Sequence, residues 1–202
     1  HPELLKWIES GKSQVDFPYV YGEKRGNFGA GPMFNPIHPT VQGQILEFMS
    51  EVAERYGSHP SLKGISINIW HATIIWFSSL EIGYDDYTVS LFEKENNINL
   101  GINATDPCRF EKRYDILVNK YREQWINWRC AKLTEFICKI RDITKAAGLT
   151  LTLNLWNETS RRLIIGMDAN AQYGATENLI LASVLGNHEI TINNAAMEPE
   201  IV

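Results

Sequence analysis

The chain reads as an α/β protein with a parallel sheet or barrel, and three observations predict it. Leu62–Trp70 (LKGISINIW) alternates Ile65, Ile67 and Ile69 with Ser66 and Asn68, the period-two pattern of a strand with one strongly apolar face. Leu149–Leu155 (LTLTLNL) repeats it with leucine at every other position. Roughly 80 residues, two helical tracts among them, lie between the two, which excludes a hairpin and suits a right-handed parallel crossover.

The elements follow in order. Up to about residue 36 the chain is rich in glycine, proline and aromatic residues, as in Phe17-Pro18-Tyr19 and Gly29-Ala30-Gly31-Pro32, and reads as long loops. Thr40–Tyr56 is a helix: Val41, Ile45, Met49, Val52 and Tyr56 share a side, and Leu46, Phe48 and Ala53 widen the stripe. Gly57 suits the left-handed position that ends such a helix. After the first strand, Asp85–Glu95 is helical, with Asp85 or Asp86 as N-cap, Val89 and Phe92 inward, and Asn96-Asn97 at its end. Asp106-Pro107 opens a long helical tract with Asp as cap and Pro at the first helical position. Its stripe runs from Phe110 to Ile143, too long for one globular helix, so a break is expected near Tyr121. Gly148 closes it. Beyond residue 158, Leu163-Ile164-Ile165 and Glu189-Ile190-Thr191-Ile192 are short strand candidates, with Thr176–Leu185 helical between them.

Composition narrows the function classes. The 202 residues suit a single domain, and 44% apolar and 21% charged residues suffice for a core, which excludes intrinsic disorder. No apolar run approaches the ~18 residues of a membrane span, so no membrane partner is expected. The net charge of −5 argues against sequence-independent nucleic-acid binding. Cys108, Cys130 and Cys138 are too few and too unevenly spaced for a disulfide framework or a zinc cluster. They read as small buried residues, and neither metal nor cofactor is expected. The chain opens at His1 rather than Met and reads as a piece of a longer protein, whose compartment (secreted or periplasmic among the candidates) stays open along with its oligomeric state.

In a parallel α/β barrel, chemistry sits where strands run out into loops. The first strand runs out into Trp70-His71, then Trp76, Glu81 and Tyr84-Asp85-Asp86; the second ends in Trp156-Asn157-Glu158. Both exits mix aromatic rings with carboxylates. A pyranose needs that mixture, because its C–H face stacks on rings and its hydroxyl edge bonds amides and acids. Cleaving a glycosidic bond needs two carboxyl groups across the linkage. Glu158, Glu81, Asp85 and Asp86 are therefore the candidate catalytic acids, and Trp70, His71, Trp76, Tyr84, Trp156 and Asn157 the candidate sugar contacts. Several have a plainer explanation: helix capping for either aspartate, a solvated loop for Glu81, core packing for the tryptophans, a packed or exposed side chain for His71. Glu158 is better placed, directly after an apolar strand.

The run Phe34-Asn35-Pro36-Ile37-His38-Pro39, the segment Glu54-Arg55-Tyr56-Gly57-Ser58-His59-Pro60, the segment Ser79-Leu80-Glu81-Ile82-Gly83-Tyr84-Asp85-Asp86-Tyr87, and Arg122-Glu123-Gln124-Trp125 carry a resemblance. Over about residues 30–158 the chain resembles bacterial glycoside-hydrolase-like proteins, distantly similar to family 10 and family 42 glycosidases. That likeness implies a partial (β/α)8 TIM barrel with parallel strands and long flanking helices. It divides the chain into a loop-rich lead-in (1–39), βα units (40–158) and an unassigned remainder (159–202). Asn157-Glu158 is also similar to the Asn-Glu pair that ends a strand in retaining barrel glycosidases, where the Glu is the acid/base and the Asn bonds the sugar 2-hydroxyl. Thr159 replaces the proline usual there. The implied activity is hydrolysis of a poly- or oligosaccharide; a non-catalytic carbohydrate-binding barrel is the alternative. A shorter likeness, Leu163–Ala171 with Asp168 and Asn170, resembles the endonuclease/exonuclease/phosphatase superfamily and implies a Mg²⁺-dependent phosphodiesterase as a further alternative.

Overall fold

A computed structural model describes residues 34–69, 83–155 and 191–193. The elements are α1 (Pro39–Tyr56), β1 (Gly64–Ile69), α2 (Asp86–Asn96), α3 (Arg109–Lys120), α4 (Arg122–Ala146), β2 (Thr150–Leu155) and β3 (Thr191–Asn193). The strands form one parallel sheet in the order β1-β2-β3. The mixed α/β reading and the parallel pairing are therefore observed. β1 and β2 pair in full register, from Gly64 opposite Thr150 to Ile69 opposite Leu155. β3 overlaps the last short strand expected from the sequence; the Leu163–Ile165 strand and the Thr176–Leu185 helix lie outside the described residues.

Local chemistry sets the helix ends. Pro39 opens α1 behind His38, whose Nδ1 accepts from the Thr40 N–H at 3.2 Å. Asp85 caps α2, and Asn97 ends it in the left-handed conformation at φ 54°. α3 starts later than its Asp-Pro signal suggests. Asp106 instead closes a turn, accepting the Cys108 N–H at 2.8 Å, and the helix begins at Arg109. The long tract breaks at Tyr121 (φ −119°, ψ 23°), as expected for so long a stripe. Gly148 closes α4 at φ +71°.

Gly57 departs from expectation. Its φ of −57° is right-handed, so no left-handed cap requires glycine there. Proximity requires it: an added Cβ would lie 3.1 Å from Ala147 Cβ, and would also strike the Ala53 carbonyl oxygen. The apolar stripe of α1 is also narrower than its sequence suggests. Val41, Met49 and Ala53 are buried, whereas Phe48 and Tyr56 are exposed. Burial centres on the Met49–Ala53 side, which turns Phe48 outward, and Tyr56 is the last helical residue.

α4 supplies most of the core. Trp125, Leu133, Phe136, Ile137 and Ile140 are buried and pack with Phe92, Leu117, Leu151 and Leu153. Only Ala147–Leu149 separate α4 from β2, so the helix runs antiparallel to that strand. Its amino end therefore lies at the carboxyl end of the sheet. α1 ends at Gly57 beside Ala147, where α4 ends, so the amino ends of α1 and α4 share that side. Of the three cysteines, all free, Cys130 is buried as expected, Cys138 is half-buried, and Cys108 is exposed on its turn. Among the described residues no helix is long and apolar enough to cross a membrane.

Candidate functional site

The register fixes where a site can form. Ile69 and Leu155 are partners at the last rung of β1 and β2. The connections that follow them begin on adjacent strands, about 4.8 Å apart, at one end of one sheet. Trp70, His71, Trp76 and Glu81 belong to the first connection and Trp156, Asn157 and Glu158 to the second; all seven lie outside the described residues.

Tyr84, Asp85 and Asp86 are described, at the point where the first connection rejoins the body. The Tyr84 ring is 1% exposed and packs between Tyr114 (centroids 5.3 Å apart) and Trp125 (5.6 Å). Trp125 in turn stacks on Trp128 at 5.4 Å and meets the edge of Phe92 at 5.0 Å. Tyr84 thus forms the top of the core, beneath the loop-bearing end.

Asp85 is 2% exposed, yet its carboxylate is well supplied with donors. Oδ1 accepts the Thr88 N–H at 2.9 Å; Oδ2 accepts the Thr88 hydroxyl at 2.7 Å and the Asn35 amide at 3.1 Å. Burial pushes this carboxyl up to about 6, against the Thr88 hydrogen bonds that pull it down. Its contacts with Thr88 are those of a helix cap, and the Asn35 amide adds one from a distant segment.

Asp86, beside it, is half-exposed and faces two cations. Arg109 approaches with both Nε (2.9 Å) and Nη2 (3.2 Å), and Arg113 Nη1 lies 2.7 Å away. Partial burial pushes this carboxyl up, but the hydrogen bonds and charges of Arg109 and Arg113 outweigh it, and it sits below its ordinary value. Arg113 is itself 5% exposed and donates to the Tyr84 carbonyl at 3.1 Å.

Asn35, Thr88 and Arg113 were not singled out by sequence reasoning. Arg113 had a signal: it falls on the apolar stripe between Phe110 and Leu117, where an arginine needs a partner. Asn35 had a weaker one, an amide lodged between Phe34 and Pro36 in the resembling run. Among the described residues no group of three His, Cys, Asp or Glu side chains is placed to hold a metal.

The sequence matches the family model described as glycosyl hydrolase-like 10 over residues 20–163, a span that contains α1 through β2 and reaches past Glu158. No curated protein and no solved structure is found to match the chain. The segment of the nuclease-like resemblance, 163–171, lies outside the described residues and, but for Leu163, beyond the matched span. With more than half its length matched, the chain belongs to the glycosyl hydrolase-like 10 family.

Proposed function

We propose that the protein cleaves glycosidic bonds in a poly- or oligosaccharide, on a (β/α)8 barrel of which this chain forms one part. One observation chiefly supports this: two parallel, register-paired strands end together, and the connections that leave them carry all the candidate acids and rings. Glu158 is the acid/base, three residues beyond the end of β2. Asn157 bonds the 2-hydroxyl, and Trp70, Trp76 and Trp156 stack on sugar faces, with His71 at the subsite edge. Glu81 is the preferred second carboxylate, because Asp85 is occupied as a cap and Asp86 as the partner of two arginines. Tyr84 supports the site from below.

The proposal is tested on the full-length protein, with the barrel complete, by sugar release from a panel of polysaccharides. Glu158→Gln should lower the rate on the order of 10²-fold or more. The alkaline limb of the pH profile should move as well, since a general acid must stay protonated and works with a raised pKa. An unchanged rate removes Glu158 from the mechanism. Binding without cleavage by the unaltered full-length protein favours the non-catalytic barrel instead.

A further inference from the structure

Two segments distant in sequence meet at the carboxyl end of the sheet: residues 34–38, which lead into α1, and residues 83–88, where the connection from β1 turns into α2. Asn35 is fully buried between them. Its amide oxygen accepts the Ile37 N–H at 3.0 Å, which fixes the amide's orientation. Its Nδ2 therefore faces Asp85 Oδ2 (3.1 Å) and Thr88 Oγ1 (2.7 Å). The Thr88 hydroxyl accepts from Asn35 and donates to Asp85 at 2.7 Å, so the three side chains form a closed ring of hydrogen bonds. A second contact joins the same segments: the His38 and Tyr87 rings lie 4.7 Å apart.

We propose that Asn35, Asp85 and Thr88 are positioning residues that fix the point at which the β1–α2 connection rejoins the body, and with it the rim that carries the site. Capping alone needs only Asp85 and the Thr88 N–H. The buried Asn35 amide adds a tie to a different segment, and a buried, fully satisfied polar network specifies one arrangement more sharply than apolar contact does. The inference rests on the carbohydrate-cleaving reading only for what is being positioned.

The ring has a property that tests it: it is complementary under exchange. Asn35→Asp sets two carboxylates face to face. Asp85→Asn sets two amide NH2 groups face to face, or turns an NH2 toward the Thr88 N–H. With both changes the amide at 85 donates to the carboxylate at 35, the Thr88 hydroxyl still accepts one bond and donates another, and the Thr88 and Ile37 N–H groups keep their acceptors.

The test is amide hydrogen exchange on the full chain, read in peptides spanning 34–40 and 83–90, with α4 peptides spanning 133–143 as the internal reference. Each single change should accelerate exchange in the two rim peptides on the order of tenfold relative to the reference. The double change should return them to within about twofold of the original. Uniform acceleration in all three regions, or a double variant as perturbed as the two singles together, overturns the proposal. If a single variant does not fold, Thr88→Val against Thr88→Ser makes the same comparison, because only serine keeps the hydroxyl. Local acceleration and rescue in a protein that cleaves no glycan would sink the enzymatic reading and leave the positioning role standing.

Discussion

The two ends of the sheet are built differently. At the amino end, connections are short and backbone packs on backbone. The Thr150 N–H and hydroxyl both reach the Lys63 carbonyl, at 3.1 and 3.2 Å, and Gly64 and Gly57 admit the neighbouring chain where no Cβ fits. At the carboxyl end, 16 residues separate β1 from α2, and buried polar side chains (Asn35, Asp85, Thr88, Arg113) do the joining. The same sheet thus has a closed end that sets register and an open end where charged groups are held out of water. Parallel α/β enzymes divide stability and chemistry in this way.

The largest expected effect tests the closed end. Gly64→Val places a branched side chain against the Thr150 backbone, where even a Cβ would lie 2.7 Å from the carbonyl oxygen. Urea unfolding should show a loss of about 3–4 kcal/mol. A loss below 1 kcal/mol would mean that the closed end is looser than its packing indicates. At the open end, Arg113→Met keeps the apolar stem but removes the donor to the Tyr84 carbonyl and the ion pair with Asp86. The expected loss is about 2 kcal/mol, moderated by the solvent that reaches Asp86. A neutral result would show that this buried guanidinium holds nothing.

The open end should also respond to pH, and its two neighbouring aspartates act in opposite senses. The folded chain holds the Asp85 proton more tightly than the unfolded chain does. Stability linked to it is complete below the ordinary 3.8 and is lost as pH rises to about 6. Asp86 is held low, so its contribution is present above the ordinary value and is lost as pH falls through the lowered one. Relative to Asp85→Asn, the unaltered chain should lose on the order of 1–3 kcal/mol of stability between pH 3.8 and 6. A constant difference across that window would show that Asp85 is not buried as an acid.

What was legible in the sequence follows this division. The two strands, the helix after Pro39, the break at Tyr121 and the Gly148 stop rest on local periodicity and turn chemistry, and all appear. Gly57 was misread because its role depends on Ala147, which is 90 residues away and reveals itself only when α1 and α4 pack. Asp106 closes a turn rather than capping α3, since an Asp-Pro turn and a helix cap share the same composition. The Asn35–Asp85–Thr88 ring was invisible for the same reason as Gly57: one of its members arrives from a distant segment. Of the candidate acids, the sequence marked Asp85 and Asp86 by type, but their partners Asn35 and Arg113 decide what each carboxylate can do.

The smallest expected effect is that of Phe48 on α1, a helix that spans both ends. Phe48 is 62% exposed, whereas Met49 beside it is buried. Met49→Ala should cost about 2–3 kcal/mol by leaving a cavity against α4. Phe48→Ser should change stability by less than about 0.5 kcal/mol, because little apolar area returns to water. The pair of variants sharpens the contrast between ends, since the middle of the helix belongs to neither and should report packing alone. A loss above about 1 kcal/mol for Phe48→Ser would instead mean that this ring is covered in solution, and that α1 has a neighbour on its outer face as well as its inner one.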